Sequence, residues 1–255
     1  MKISASIYAR HRVGFSSNGK SADADEHLDV DPARPLRDTV RMLDEHGVDY
    51  FHIDCRDDHA VFEDIKLIRT VSDTPIDLHL ITPDPEPYYP AIREFGIECV
   101  SVQLESLQQA WDPPADLKKA LGLAMISDTS IDAFSPFADS LSFVLFMTTT
   151  PGQSGGEFHN TNFRRIREFQ AQHPGVRIHV DGGVNQEVSF ILRNMGVYSA
   201  VSGSYLLPEK EAVGPRMLKL TRSSIPSSVQ SANSENEQTK GFIVADFMME
   251  RHEIP

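Results

Sequence analysis

A chain of 255 residues with 40% hydrophobic and 8% aromatic residues carries enough apolar matter for one sizeable core and is far from a disordered composition. Its formal charge of −13 works against non-specific binding to nucleic acid or anionic lipid, because both would meet a negative surface, while a local cluster of backbone amides could still hold a phosphate. Cys55 and Cys99 are too few for a disulfide framework or a thiolate metal site, which favours a reducing compartment.

Taken in chain order, the first strand is read at 3–6, within an apolar run from Ile3 to Tyr8 that serine interrupts and Arg10, His11 and Arg12 follow, too short for a signal segment, and no later stretch approaches the roughly 20 apolar residues of a membrane span. The expectation is a cytoplasmic protein with neither membrane nor nucleic acid among its partners. Residues 10–31 follow, polar, with Gly14, Gly19 and five acidic residues. Pro35 then opens a segment whose apolar positions Leu36, Val40 and Leu43 keep helical spacing, and Gly47 closes it.

Further strands are read at 50–54, 76–80, 99–103, 122–126, 141–147, 176–181 and 200–203, each with a following helix, and Gly96 and Gly196 end two of the helices. Eight strand–helix repeats in a chain near the typical 250 residues favour a single α/β domain, a closed (β/α)8 TIM barrel spanning 1–220, with 10–31 as a long first βα loop on the catalytic face. Residues 221–241, rich in Ser, Asn, Gln and Glu, read as a disordered linker, and 242–255 as a short C-terminal extension of unassigned role.

His52 and Asp54 alternate at the end of one strand, so both face the same side, which in a barrel is the interior. His79 ends the next strand, and Asp181 ends a later one in Val180-Asp181-Gly182-Gly183. Four such groups at C-terminal strand ends would meet at the barrel mouth, where enzymes of this fold put their chemistry. Imidazole and carboxylate together suit one divalent metal ion, zinc ranked first, with iron(II), manganese and cobalt as the others. Any one of these residues alone would read as a polar group satisfied at a strand end.

Glycine-rich turns follow three strands: Pro151-Gly152-Gln153-Ser154-Gly155-Gly156, Gly182-Gly183 and Ser202-Gly203-Ser204. Backbone amides in such turns can face an anion, and barrels often bind phosphate beyond their last strands.

These runs, with Ala5-Ser6-Ile7, Phe51-His52-Ile53-Asp54, Ile76-Asp77-Leu78-His79-Leu80 and Met147-Thr148 in the same order, resemble the ribulose-phosphate 3-epimerase family from Lys2 to Leu207. The resemblance implies a barrel of the ribulose-phosphate-binding type and a metal at His52, Asp54, His79 and Asp181. It also makes Asp54 and Asp181 the catalytic acid–base pair. Substrate contacts fall on Ser6, His79, Met147, Gly152, Gln153, Ser154, Gly155, Gly182, Gly183, Gly203 and Ser204. The implied partner is a small phosphorylated sugar, with inversion of C3 through an ene-diolate, and homo-oligomers are expected.

The chain departs from the family in carrying Arg56 and Ile81 at positions usually methionine, Gln103 at one usually histidine, Thr150 at one usually asparagine, and Gln153-Ser154 where Phe-Gly is common. Arg56 would pair with Asp57 or Asp58, or hold an acidic substrate group. These changes motivate a second reading, a barrel without turnover that binds a sugar phosphate as a sensor or scaffold.

Overall fold

The computed structural model describes residues 1–9, 34–149, 156–207 and 213–221. The expected insertion at 10–31, nearly all of the linker at 221–241, the segment 242–255 and the loop residues Gly152, Gln153, Ser154 and Gly155 lie outside the described residues.

Eight parallel strands close in sequence order: β1 (Lys2–Ser6), β2 (Tyr50–Cys55), β3 (Ile76–Leu80), β4 (Cys99–Gln103), β5 (Leu121–Ile126), β6 (Phe143–Met147), β7 (Arg177–Asp181) and β8 (Ser199–Ser202), with β8 pairing back onto β1. The helices are α1 (Arg34–Glu45), α2 (Val61–Arg69), α3 (Tyr89–Glu94), α4 (Thr161–Gln172), α5 (Gln186–Asn194) and α6 (Val213–Thr221). Val40 and Leu43 of α1 are buried, as their spacing predicts, and Gly47, Gly96 and Gly196 take positive φ values of 70°, 58° and 79° just past helix ends, a conformation that side chains with a Cβ disfavour.

The expected helices after β4 and β5 do not form as α-helices. Short 3-10 turns at Leu104–Ser106 and Ala115–Leu117 cross from β4 to β5, and one at Ile131–Phe137 crosses from β5 to β6. Pro113, Pro114 and Pro136 supply no backbone N–H and obstruct an α-helical ladder there. Leu117 and Phe134 still anchor these crossings in the core.

Outward-facing strand residues such as Phe51, Ile53, Leu78, Val100 and Val180 pack beneath the helices in one large apolar cluster. Inside the barrel the register aligns one inward residue with the next around the ring: His52 beside Asp77, Asp54 beside His79, Met147 beside Asp181 and His179 beside Ser199. The apolar part of this interior is small, Cys99, Ala124, Phe143, Leu145 and Met147 with Tyr50 and Ile126 at its edges. Gly122 leaves room for the Phe143 ring, whose atoms lie 2.4 Å from where a Cβ would stand. The rest of the interior is polar: Ser4, His52, Asp77, His79, Ser101, Gln103, His179 and Ser199 are all buried. Burying such groups is costly unless they are paired, and among the described residues His52 Nε2, Ser101 Oγ, His179 Nε2 and Ser199 Oγ have no hydrogen-bond partner.

Candidate metal centre and substrate face

Strand alternation carries His52 and Asp54 inward from β2, Asp77 and His79 from β3, and Asp181 from β7. One donor atom from each of His52, Asp54, His79 and Asp181 lies within 4.8 Å of the others. Nε2 of His52 is 3.5 Å from Asp54 Oδ1 and 3.6 Å from Asp181 Oδ2, and Nδ1 of His79 is 3.1 Å from Asp54 Oδ1.

This donor set fits a divalent cation. The His52 ring is 1% exposed, and among the described residues its Nε2 has no hydrogen-bond partner although two carboxylates face it. Its other nitrogen, Nδ1, is 3.0 Å from Asp77 Oδ2, which also accepts from Ser4 Oγ at 2.8 Å. A carboxylate behind a histidine in this way orients the ring and leaves the far nitrogen for a metal. On the opposite side of the cluster, Nε2 of His79 meets Gln103 Oε1 at 2.8 Å.

The two aspartates are tuned apart. Burial works to raise both, but hydrogen bonds and charge from His52 and His79 hold the Asp54 carboxyl well below the usual range. At Asp181 burial dominates and the nearby Asp54 charge adds to it, pushing the group up to about 6. Around His52, burial lowers the pKa, yet the charge of Asp77 together with Asp54 and Asp181 outweighs it and raises the imidazole well above its ordinary value. A cation entering here would displace that proton.

One layer deeper, Asp77, Cys99 and His179 form a second cluster of potential donors. Cys99 Sγ is 3.8 Å from His179 Nδ1, Asp77 is committed to Ser4 and His52 outside the cluster, and His179 Nε2 is buried without a hydrogen-bond partner among the described residues. Burial lowers His179 to about 4 and raises the Cys99 thiol, so both are neutral beneath the centre, with the His179 ring stacked on Phe143 at 4.3 Å.

In the turn after β7, Gly182 and Gly183 have φ of 116° and 64°. A Cβ on Gly183 would stand 2.4 Å from the Phe158 backbone nitrogen, and one on Gly182 would meet Thr149 at 2.3 Å. The two glycines thus let the chain after β6 lie directly on the turn after β7, a seating fixed by Thr148 N donating to Asp181 O at 2.7 Å and Thr148 Oγ1 to Gly182 O at 2.5 Å. Gly203 and Ser204 form the turn after β8, with Gly203 O accepting from Leu207 N at 2.9 Å. Ser6 ends β1 beside His52, and Met147, 1% exposed, ends β6 beside Asp181.

Arg56 is exposed two residues beyond Asp54, and among the described residues it makes no hydrogen bond or ion pair. The expected pairing with Asp57 or Asp58 does not form. Asp57, at φ 53°, accepts instead from Thr82 Oγ1 at 2.5 Å and Tyr88 OH at 3.0 Å, while Asp58 accepts from Ala60 N–H. The supporting roles of Asp77 and Gln103 escape a search for His and carboxylate ligands at strand ends, because Asp77 lies inside its strand and Gln103 is neither residue type. The available signal is that Asp77 stands two residues before His79 on the same face, and Gln103 ends the adjacent strand.

The model of the ribulose-phosphate 3 epimerase family matches residues 28–207. The ribulose-phosphate 3-epimerase of Bacillus subtilis (strain 168) is 29% identical over 183 residues, 66% of this chain and 84% of the relative. The chloroplastic ribulose-5-phosphate-3-epimerase of Arabidopsis thaliana is 26% identical over 191 residues, 69% of this chain and 68% of the relative. Among solved structures, 3-hexulose-6-phosphate synthase from Salmonella typhimurium aligns with a TM-score of 0.56 at 13% identity, over 86% of this chain and 96% of that one. KGPDC from Streptococcus mutans aligns with a TM-score of 0.54, also at 13% identity, over 72% of this chain and 89% of that one. At such identity the two structures share the barrel fold alone. The family match spans well over half of the sequence, and on that ground the chain belongs to the ribulose-phosphate 3 epimerase family of isomerases.

Proposed function

We propose that this protein inverts C3 of a phosphorylated ketose, converting D-ribulose 5-phosphate to D-xylulose 5-phosphate or acting on a close relative. The observation that carries this reading is the pair Asp54 and Asp181. They come from β2 and β7, on either side of the β8–β1 closure, and meet at one cluster.

Inversion needs one group to remove a proton from one face of a planar intermediate and another to return one to the opposite face. Asp54 and Asp181 each bring a carboxylate oxygen to the centre from opposite sides of that closure, so one can remove the proton and the other return one. Their roles exchange when the reaction runs backwards.

His52, Asp54, His79 and Asp181 would hold the divalent metal, zinc first by donor type, with iron(II), manganese or cobalt as alternatives. When bound, such an ion supplies Lewis-acid stabilisation of the charge that develops on the C2 and C3 oxygens of the sugar. Backbone amides of Gly182, Gly183, Gly203 and Ser204, with the loop at 152–155, would hold the phosphate. Ser6 and Met147, at neighbouring strand ends, would contact the sugar. The match to named epimerases supports the substrate class.

The test is incubation of metal-loaded protein with D-ribulose 5-phosphate in deuterated water, following the C3 proton and xylulose 5-phosphate by NMR. Exchange with product formation is the expected result. No exchange with any of zinc, iron(II), manganese or cobalt would reject this substrate.

A further inference from the structure

Gln103 stands where the resembled family usually has histidine, and its surroundings give it a defined task. The side chain is 2% exposed at the end of β4, with Oε1 2.8 Å from His79 Nε2. Its amide nitrogen faces two acceptors, a Glu105 carboxylate oxygen in close contact and Ala124 O at 3.5 Å. Glu105 is itself held, because its other oxygen accepts from Ile126 N–H at 3.1 Å and from the Thr129 hydroxyl.

These partners leave the amide one orientation. Turning it over would set its oxygen against two acceptors and its NH2 toward His79. With Oε1 toward the imidazole, His79 Nε2 must carry a hydrogen, because a carbonyl oxygen can only accept. Only Nδ1, which is 3.1 Å from Asp54 Oδ1, then remains to the centre. The arrangement mirrors that at His52, where Asp77 accepts at Nδ1 and leaves Nε2. Two acceptors on opposite sides of the cluster thus turn one nitrogen of each ring inward.

We infer that the Glu105–Gln103 relay selects the metal-facing nitrogen of His79, making Gln103 a positioning residue of the centre. The inference rests on the metal reading above. A glutamine amide carries one acceptor and one donor group at opposite corners, as a neutral imidazole does, so it passes on the same hydrogen-bond polarity from Glu105 that a histidine would. The departure at 103 changes the residue and preserves the relay.

The experiment uses full-length protein labelled with 15N at its histidines, read by NMR metal-free and zinc-loaded, with zinc affinity measured by chelator competition. In the wild type, His79 is expected to keep its hydrogen on Nε2 in both forms and to take zinc at Nδ1. Gln103→Leu should lower zinc affinity roughly 10–100-fold, as loss of an outer hydrogen-bond partner does, and let the metal-free ring populate both tautomers. Glu105→Gln, which keeps size and permits the amide to turn, should shift the tautomer in the same sense, and it serves if Gln103→Leu does not fold. Gln103→His should restore both readouts.

Zinc on Nε2 of His79 in the wild type, or a tautomer and affinity unmoved by both Gln103→Leu and Glu105→Gln, would overturn the relay. Failure of the wild type to bind zinc, iron(II), manganese or cobalt would instead remove the metal reading. The metal-free spectra would still decide the relay in that case, with a wild-type Nε2–H lost in the variants upholding it and an unchanged ring rejecting it.

Discussion

Nδ1 of His52 lies 3.0 Å from Oδ2 of Asp77, and both side chains are shut inside the barrel, 1% and 2% exposed. The carboxylate is held below its usual pKa range: burial opposes this, but the charge and hydrogen bond of His52 outweigh it. Asp77→Asn removes that charge and weakens the constraint on the ring. The expected loss of zinc affinity is roughly 10–100-fold by chelator competition. Affinity within a factor of about two of the wild type would show that His52 needs no such support.

Asp54 and Asp181 are assigned to proton transfer, and asparagine at either position keeps the size while removing the base. Each of Asp54→Asn and Asp181→Asn should lower kcat by roughly 10²–10⁴ or more, with loss of C3 proton exchange in deuterated water. Full exchange by either variant would remove that residue from the acid–base pair.

The Asp181 carboxyl also makes the metal-free protein sensitive to pH. Its folded pKa of about 6 exceeds the ordinary 3.8, so between these values the folded protein keeps a proton that the unfolded chain has released. The resulting contribution to stability is full below about pH 3.8 and is lost as pH rises through about 6. It amounts to about 2–3 kcal/mol. Metal-free Asp181→Asn should therefore gain in Tm over the wild type as pH goes from about 5 to about 7.5. A Tm difference that stays constant across this range would contradict the assigned shift.

Two glycine substitutions should separate packing from substrate binding. In Gly122→Ala the new Cβ meets the Phe143 ring at 2.4 Å, inside a barrel where that ring already stacks on His179. The expected cost is about 1–3 kcal/mol in denaturant unfolding. In Gly183→Ala the clash is with the Phe158 backbone at a φ of 64°, on the proposed phosphate side. KM for the phosphorylated ketose should rise there by more than kcat falls. An unchanged KM would remove Gly183 from the phosphate site.

Much of the barrel is legible locally. The β2 and β3 runs, Tyr50–Cys55 and Ile76–Leu80, show their burial and their inward His and Asp in the alternation itself, since a strand has a period of two and a barrel has one interior. The crossings after β4 and β5 read as helices in the sequence and fold otherwise. Apolar anchors such as Leu117 and Phe134 suit either a helix or a looser 3-10 path, and the prolines beside them favour the latter.

Residue order alone determined the number and sequence of the strands, the glycine ends of the helices, and the gathering of His52, Asp54, His79 and Asp181 at one end of a parallel barrel. Those properties follow from periodicity and from the direction of each strand. Tertiary structure alone decided that Asp77 stands behind His52, that Gln103 stands behind His79 with its amide turned by Glu105, and that Arg56 does not pair with Asp57 or Asp58. Such facts depend on the register between strands and on competition among buried donors and acceptors, which is settled only when the strands lie side by side.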